Sequence, residues 1–245
     1  MKKLLLLGNL GIMLGLLNCT DPDMPAPADD KKYAAGKVVD TQGRPLSGAD
    51  IVVSNTQYYN DNILGKTDAA GNYQLEVTPG SWYVIGTIDV TYDNKKYTLD
   101  LDPESSDAFA GTEGAVRNFR WKLTGERPDD FGGGGYYGGS MEVIGVLGFF
   151  DVDQVELTLE PVMPLIDGST GQTLRLQPQS SMIEDIPLGK YKITARYLPD
   201  NAPMNIRIRD KNQAYGPSVT DSFDPIYPGA EALGIYSITV EVEPN

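Results

Sequence analysis

The chain of 245 residues contains no histidine and only one cysteine, Cys19. Without histidine it cannot build the serine–histidine or cysteine–histidine pairs that activate a nucleophile. It also cannot build a zinc site that relies on imidazole ligands. One cysteine excludes an internal disulfide, so the fold must depend on its hydrophobic core. We therefore expect a protein that is not an enzyme and that holds no cofactor or metal.

Basic residues are also scarce. Lysine and arginine number 20 against 34 aspartates and glutamates, and the formal net charge is -14. Binding to nucleic acid requires a basic surface that neutralises phosphates. This composition predicts no nucleic-acid partner and is typical of a soluble, solvated surface.

Long apolar runs are limited to one segment, Leu4–Leu17, which three glycines and an asparagine interrupt. The segment is shorter than the roughly 20 apolar residues that a helix needs to cross a bilayer. Lys2 and Lys3 precede it, and a polar residue ends it. A positive start, an apolar middle and a small or polar exit are typical of a secretory signal peptide, which we predict over residues 1–18.

The sequence Leu16-Leu17-Asn18-Cys19 follows directly and resembles the lipobox of bacterial lipoproteins. The resemblance implies cleavage before Cys19, acylation of its thiol and its freed amine, and a lipid anchor as the membrane partner. Each buried CH₂ contributes about 0.8 kcal/mol, so two or more acyl chains give a stable anchor. Cleavage removes the two lysines and takes the formal charge from -14 to -16. The expected location is the outer membrane, on its periplasmic face or at the cell surface.

Residues 19–32 begin with this cysteine and are rich in proline and aspartate. Such a composition favours an extended tether without a packed core. Asp21 and Asp23 also resemble the acidic signal for surface export found in lipoproteins of the Bacteroidota. A plain solvated linker explains them equally well.

From Tyr33 onward, short β-rich runs alternate with turn clusters at intervals of roughly 8–12 residues. No long segment has helical periodicity, whereas the run Ser81–Tyr92 places its large apolar residues on one face by a period of two. The pattern predicts an all-β fold with two β-sandwich domains, at residues 33–124 and 140–245. A glycine-rich linker is predicted at residues 125–139.

Two stretches, GKVVDTQGRPLSGADIVV and GKTDAAGNYQLEVTPGSWYV, carry a second resemblance. They resemble the carboxypeptidase regulatory-like family. The resemblance implies a transthyretin-like sandwich of about seven antiparallel strands over residues 35–124, and it supplies no catalytic residue. The second domain resembles no family that we recognise. The matching positions are Gly36, Asp40, Gly43, Pro45, Leu46, Gly48, Ala49, Thr67, Asp68, Gly71, Tyr73, Pro79 and Gly80, with Trp82 near the usual tyrosine.

Two tyrosine pairs are candidate ligand-binding residues. Tyr58 and Tyr59 lie among asparagines and an aspartate, and Tyr136 and Tyr137 lie among glycines. Flat aromatic rings can stack on sugars or anchor a protein partner. For Tyr136 and Tyr137 the alternative is packing at the junction between the two domains.

Closely spaced carboxylates suggest two further possibilities. Asp100 with Asp102, and Asp151 with Asp153, have the composition of a carboxylate pair in a glycan hydrolase. An acidic chain offers many such pairs by chance. The loop 102–107, with sequence DPESSD, offers oxygen ligands for calcium but lacks EF-hand spacing.

Together these features predict a non-enzymatic lipoprotein of the cell envelope that binds a glycan or a protein at the outer membrane. One alternative is a structural or assembly subunit of a surface complex. The other is a carboxylate-dependent glycan hydrolase.

Overall fold

A computed structural model describes residues 31–129, 134–209 and 211–245. The predicted signal peptide, Cys19 and nearly all of the predicted tether lie outside the described residues. Residues 32–245 belong to one compact unit. Its described part consists of β-strands and two short 3-10 helices, Val152–Gln154 and Glu231–Leu233, so the all-β prediction is confirmed.

The first ten strands form what we call the first block. They are β1 (Lys32–Val39), β2 (Asp50–Asn55), β3 (Asn62–Lys66), β4 (Asn72–Val77), β5 (Ser81–Tyr92), β6 (Lys95–Asp100), β7 (Asp102–Pro103), β8 (Phe109–Ala110), β9 (Ala115–Val116) and β10 (Phe119–Arg120).

Two sheets face each other in this block. One has the order β4-β1-β10-β7 with β9 beside β1, and the other has the order β3-β2-β5-β6 with β8 beside β5. Alternate residues of each strand point inward, which is the period of two seen in the sequence. The sheets share one core, so this block is a β-sandwich as predicted, but it has ten strands and two parallel pairings where about seven antiparallel strands were expected. Its buried residues include Val38, Tyr73, Phe119, Ile51, Val53, Trp82, Val84 and Leu99.

Two aspartates organise the tight turns of this block. Asp40 accepts hydrogen bonds from the backbone N–H groups of Gln42 and Arg44, both at 2.9 Å. Asp68 accepts equivalent bonds from Ala70 and Asn72, both at 2.8 Å. Each turn ends on a glycine with positive φ, a conformation that strains other residues. Both turns lie between strands, where the sequence places its turn clusters.

The remaining strands form the second block. They are β11 (Gly139–Gly145), β12 (Val155–Pro161), β13 (Leu174–Leu176), β14 (Met182–Ile186), β15 (Lys190–Tyr197), β16 (Ala202–Ile208), β17 (Val219–Ser222), β18 (Asp224–Pro225) and β19 (Tyr236–Pro244).

These strands belong to a single sheet with the order β13-β12-β15-β16-β19-β11-β14. Strand β17 pairs with β15, and β18 pairs with β19. Most pairs in both blocks are antiparallel, but β1 runs parallel to β9 and β10, and β11 runs parallel to β19. The block has its own buried residues, which include Met141, Leu157, Leu159, Ile193, Ile206 and Val240.

The register of β5 defines the two ends of the first block. The Tyr92 hydroxyl at its C-terminus contacts Pro164 and Lys190 of the second block. Ser81 lies at the opposite end, about 36 Å along a strand of this length. We call that opposite end the free end.

The described residues of the predicted glycine-rich linker are folded back on themselves. The N–H of Tyr137 donates to the Gly125 carbonyl oxygen, and the N–H of Arg127 donates to Gly135, both at 2.9 Å. The Asp185 carboxylate accepts the N–H of Gly125 at 2.9 Å and that of Gly138 at 3.2 Å. The two ends of the segment are therefore held together at one carboxylate of β14.

Candidate functional site

The loop between β2 and β3 carries the first predicted tyrosine pair, and Asn55 organises it. The Asn55 side-chain oxygen accepts the N–H groups of Gln57 at 2.9 Å and Tyr58 at 3.3 Å. Its side-chain nitrogen donates to Asp61 at 2.9 Å. Asparagine and aspartate favour such local turns because their short side chains reach nearby backbone groups.

This loop exposes both tyrosine rings. Tyr58 is 68% exposed and Tyr59 is 103% exposed, so neither ring packs into the core. The amide and carboxylate groups of Asn60, Asp61 and Asn62 lie beside them in the loop. The loop therefore presents flat apolar surface together with hydrogen-bonding groups, which is the combination that suits a sugar ring or a polar protein surface.

The loop lies at the free end of the first block. The N–H of Thr56 donates to the Ser81 carbonyl oxygen at 2.9 Å. Lys32, where β1 begins, pairs with Val77, and three residues separate Val77 from the start of β5. The exposed tyrosines and the start of the compact unit therefore share one end of the first block.

The second tyrosine pair lies elsewhere and is less accessible. Tyr137 is buried, and its hydroxyl donates to Asp102 at 3.0 Å. Burial raises the pKa of this tyrosine, and the Asp102 carboxylate adds to the rise. Tyr136 is half-buried within the folded-back segment. Tyr137 thus packs at the junction between the blocks, which was the alternative interpretation, and its ring is not presented to a ligand.

The carboxylates of Asp100 and Asp102 do not share a face of one strand. The chain leaves β6 at Asp100 and enters β7 at Asp102, and these strands belong to different sheets. Asp100 pairs with Arg127, and Asp102 pairs with Lys122 at 2.7 Å. The two carboxylates are therefore separated because one strand ends and another begins between them.

The other acidic groups are also engaged locally. The Tyr197 hydroxyl donates to Asp151 at 3.2 Å, and the N–H of Ser181 donates to Asp153 at 2.9 Å. In the loop 102–107, Glu104 accepts the Asn118 amide at 2.8 Å. Among the described residues no group of three or more acidic, histidine or cysteine side chains could hold a metal ion.

Three tyrosines that the sequence did not single out connect the two blocks. The Tyr92 hydroxyl donates to the Pro164 carbonyl oxygen at 2.8 Å. The Tyr97 hydroxyl donates to the Phe223 carbonyl oxygen at 2.7 Å. The Tyr236 hydroxyl accepts the N–H of Thr98 at 2.7 Å, which satisfies a peptide group on the edge strand β6. We call this contact between the blocks the junction.

Ion pairs add to the junction. Lys190 lies 3.0 Å from Asp93, and Lys95 lies 2.5 Å from Asp224. The hydrogen bond from Lys190 lowers the pKa of Asp93. Burial opposes ionisation of Asp224, but Lys95 and Lys211 outweigh it and lower the pKa of that carboxyl.

The junction is closely packed around Asp100 but open at its edge, where a groove of about 620 Å³ is lined by residues that include Lys95, Thr98 and Asp224. The gap bounded by Asp100, Trp121, Arg127 and Tyr137 measures about 10 Å³. That volume is about what one water molecule needs. The surroundings of Asp100 are therefore a packed contact that a sugar cannot enter, and the exposed tyrosine loop is the better candidate for glycan binding. In the described part of the chain, no helix has the length and apolar character needed to cross a membrane.

Comparisons with known proteins found no matching family model and no matching curated protein. The carboxypeptidase regulatory-like resemblance therefore stays a prediction. Among solved structures, the chain is similar to the Bacillus anthracis TIE protein, with 14% identity, 87% of this chain and 34% of that chain covered, and a TM-score of 0.35. This chain thus spans about a third of that protein's length.

Two further similarities are to pilus proteins. The Streptococcal ancillary pilin is 8% identical, with 89% of this chain and 64% of that chain covered and a TM-score of 0.26. A pilus adhesin of Lactobacillus rhamnosus is 10% identical, with 86% and 31% covered and a TM-score of 0.26. Likenesses at these TM-scores carry no conclusion about the function of this chain.

Proposed function

We propose that this chain is a non-enzymatic, lipid-anchored module of the cell envelope that binds glycan through the loop bearing Tyr58 and Tyr59. The observation that carries the proposal is the exposure of two tyrosine side chains on a loop whose backbone is already fixed by hydrogen bonds. A fixed loop loses little conformational freedom when a ligand binds, so more of the contact energy contributes to affinity.

The chemistry of the loop fits a sugar. The apolar faces of the tyrosine rings can stack against the C–H face of a pyranose. Asn60, Asp61 and Asn62 supply amide donors and carbonyl or carboxylate acceptors for hydroxyl groups at the rim.

The position of the loop fits an anchored protein. Cys19 is the proposed lipid site, and twelve residues separate it from Lys32 at the start of β1. Because β1 begins at the free end, the chain that leads back to Cys19 joins the first block at the end that carries the tyrosines. Glycans of the surface that holds the anchor are the proposed ligands.

The ion pairs of the candidate carboxylates favour a glycan-binding protein over a glycan hydrolase. Asp100 pairs with Arg127 beside a gap of about 10 Å³ that leaves no space for a sugar, and Asp102 pairs with Lys122. A glycan hydrolase needs two carboxyl groups that flank the scissile bond of a bound substrate.

The test is a glycan array probed with the full chain in detergent, as wild type and as the Tyr58→Ala/Tyr59→Ala variant. We expect binding to an envelope glycan, reduced at least about tenfold in the variant. Tyr227→Ala is the matched control, because that tyrosine is also exposed but lies in the second block. Equal binding by wild type and the double variant would sink the proposal.

A further inference from the structure

The far end of the second block carries a second exposed loop, and it contains two large apolar side chains. Leu147 is 97% exposed and Phe150 is 81% exposed. They lie in the turn that follows β11, where the N–H of Phe149 donates to the Val146 carbonyl oxygen at 2.9 Å. Gly148 has a φ of +95° in this turn. We call residues 146–150 the apolar tip.

The apolar tip is held in place from below. The N–H of Val146 donates to the Val242 carbonyl oxygen of β19 at 2.9 Å. The Phe149 ring packs edge-on against Tyr197, with ring centroids 5.4 Å apart. Phe149 thus points toward the block, whereas Leu147 and Phe150 are exposed to solvent. The turn that exposes them is therefore held in a fixed position.

Acidic groups lie on the side of the apolar tip where the chain continues and where Tyr197 packs. Asp151 follows it directly and accepts the Tyr197 hydroxyl at 3.2 Å. Desolvation raises the pKa of Tyr197, and the charges of Asp151 and Asp200 add to the rise, which places both carboxylates near that ring. Asp153 is exposed two residues later. The three aspartates accept hydrogen bonds from neutral groups, namely the Tyr197 hydroxyl and the N–H groups of Ser181 and Ala202, so these bonds leave their negative charge in place.

The apolar tip lies away from the junction and from the exposed tyrosine loop. Tyr236, at the start of β19, contacts the first block, whereas Val242 lies six residues further along that strand, about 20 Å away. The tip is therefore separate from the proposed glycan site and from the end where β1 begins.

We propose that the apolar tip docks into a second protein of the envelope, one that offers an apolar pocket rimmed by lysine and arginine. The pocket accepts Leu147 and Phe150, and the basic rim pairs with Asp151, Asp153 and Asp200. Two exposed apolar side chains beside charged groups resemble a protein–protein interface, in which an apolar centre is bordered by polar residues.

The negative charge near the tip favours a basic protein partner over a lipid bilayer and over a second copy of this chain. A bilayer with anionic lipids repels the acidic rim, since attraction to such a surface needs basic residues. The same tip on a second copy carries the same negative charges, and like charges placed face to face disfavour a symmetric contact. A protein that combines an apolar pocket with surrounding basic side chains can contact both the apolar residues and the aspartates of the tip.

The test is photo-crosslinking in cells with the full chain carrying Phe150→p-benzoylphenylalanine. The proposal expects an adduct with one protein, with the crosslinked peptide bordering lysines or arginines. Binding of the purified full chain to that purified protein should then weaken at least about tenfold for Leu147→Ser. Leu64→Ser, an exposed leucine on β3, is the matched control and should leave the affinity within about twofold.

Charge is tested with Asp151→Asn/Asp200→Asn, which keeps hydrogen-bond acceptors at both positions. This variant should bind about threefold more weakly at low salt and show a flatter salt dependence. An adduct with a second copy of the chain, an adduct with lipid, or no adduct would overturn the proposal. So would an affinity that neither Leu147→Ser nor the loss of charge changes.

Discussion

The junction gives a prediction whose magnitude follows from one buried hydroxyl. Tyr97→Phe removes the donor to the Phe223 carbonyl oxygen, a bond of 2.7 Å in a buried setting. The ring remains, so its packing against Tyr236, with centroids 4.7 Å apart, is retained. The change therefore isolates one hydrogen bond between the two blocks.

The expected loss in the free energy of unfolding combines two effects. A typical hydrogen bond contributes about 0.5–1.5 kcal/mol, and a buried acceptor left without a donor costs about 1–3 kcal/mol. We expect the free energy of unfolding to fall by about 1–3 kcal/mol. For a unit of this size each kcal/mol lowers Tm by about 2–4 °C.

The assay is urea unfolding followed by tryptophan fluorescence and by far-UV circular dichroism. Both tryptophans, Trp82 and Trp121, lie in the first block, whereas the dichroism reports both blocks. Tyr227→Phe, which alters an exposed hydroxyl, should shift the midpoint by less than about 0.5 kcal/mol. If Tyr97→Phe is as stable as this control, the junction does not hold the blocks together as described.

Three further predictions concern charge, the anchor and the linker. The pKa values of Asp93 and Asp224 are lowered from 3.8, so their ion pairs stabilise the fold above about pH 4. That stability should be lost as the pH falls through the lowered values, and an unchanged urea midpoint between pH 5 and pH 2.5 would contradict this. Cys19→Ala should move the protein from the membrane to the soluble fraction, and a variant that stays lipid-bound would overturn the anchor. Asp185→Ala should lower the free energy of unfolding by about 1–3 kcal/mol and speed amide exchange in the linker. Asp185→Asn keeps a hydrogen-bond acceptor and should lower it by less. Equal losses in the two variants would contradict the role given to Asp185 in holding the ends of the linker together.

The fold class was predictable because it depends on local patterns. The alternation in Ser81–Tyr92 fixes which face of β5 is buried, and the structure has that face in the core. The turns at Asp40 and Asp68 were predictable because each aspartate bonds to backbone groups within four residues. These features require no knowledge of distant parts of the chain.

The junction was not predictable for the opposite reason. Tyr97 and Phe223 are 126 positions apart, and nothing near either residue signals the contact. The glycine-rich segment has the composition of a flexible linker, but Asp185 of β14 closes it from a distance of 60 positions. Glycine content predicts conformational freedom and cannot show which side chain removes it.

The candidate site was predictable in part. The exposure of Tyr58 and Tyr59 follows from a polar loop between two strands. Tyr137 also lies in a polar, glycine-rich stretch of the sequence, but in the structure it is buried at the junction, where its hydroxyl donates to Asp102. The apolar tip was missed because Leu147 and Phe150 lie in a run of apolar residues that also suits a buried strand.

The central claim is that the loop bearing Tyr58 and Tyr59 binds a glycan. The most direct measurement is calorimetric titration of the full chain with the best envelope glycan from the array, for wild type and for Tyr58→Ala/Tyr59→Ala. The account predicts saturable binding by wild type, an affinity at least about tenfold lower in the variant, and an unchanged free energy of unfolding. An affinity that is the same for both proteins would contradict it.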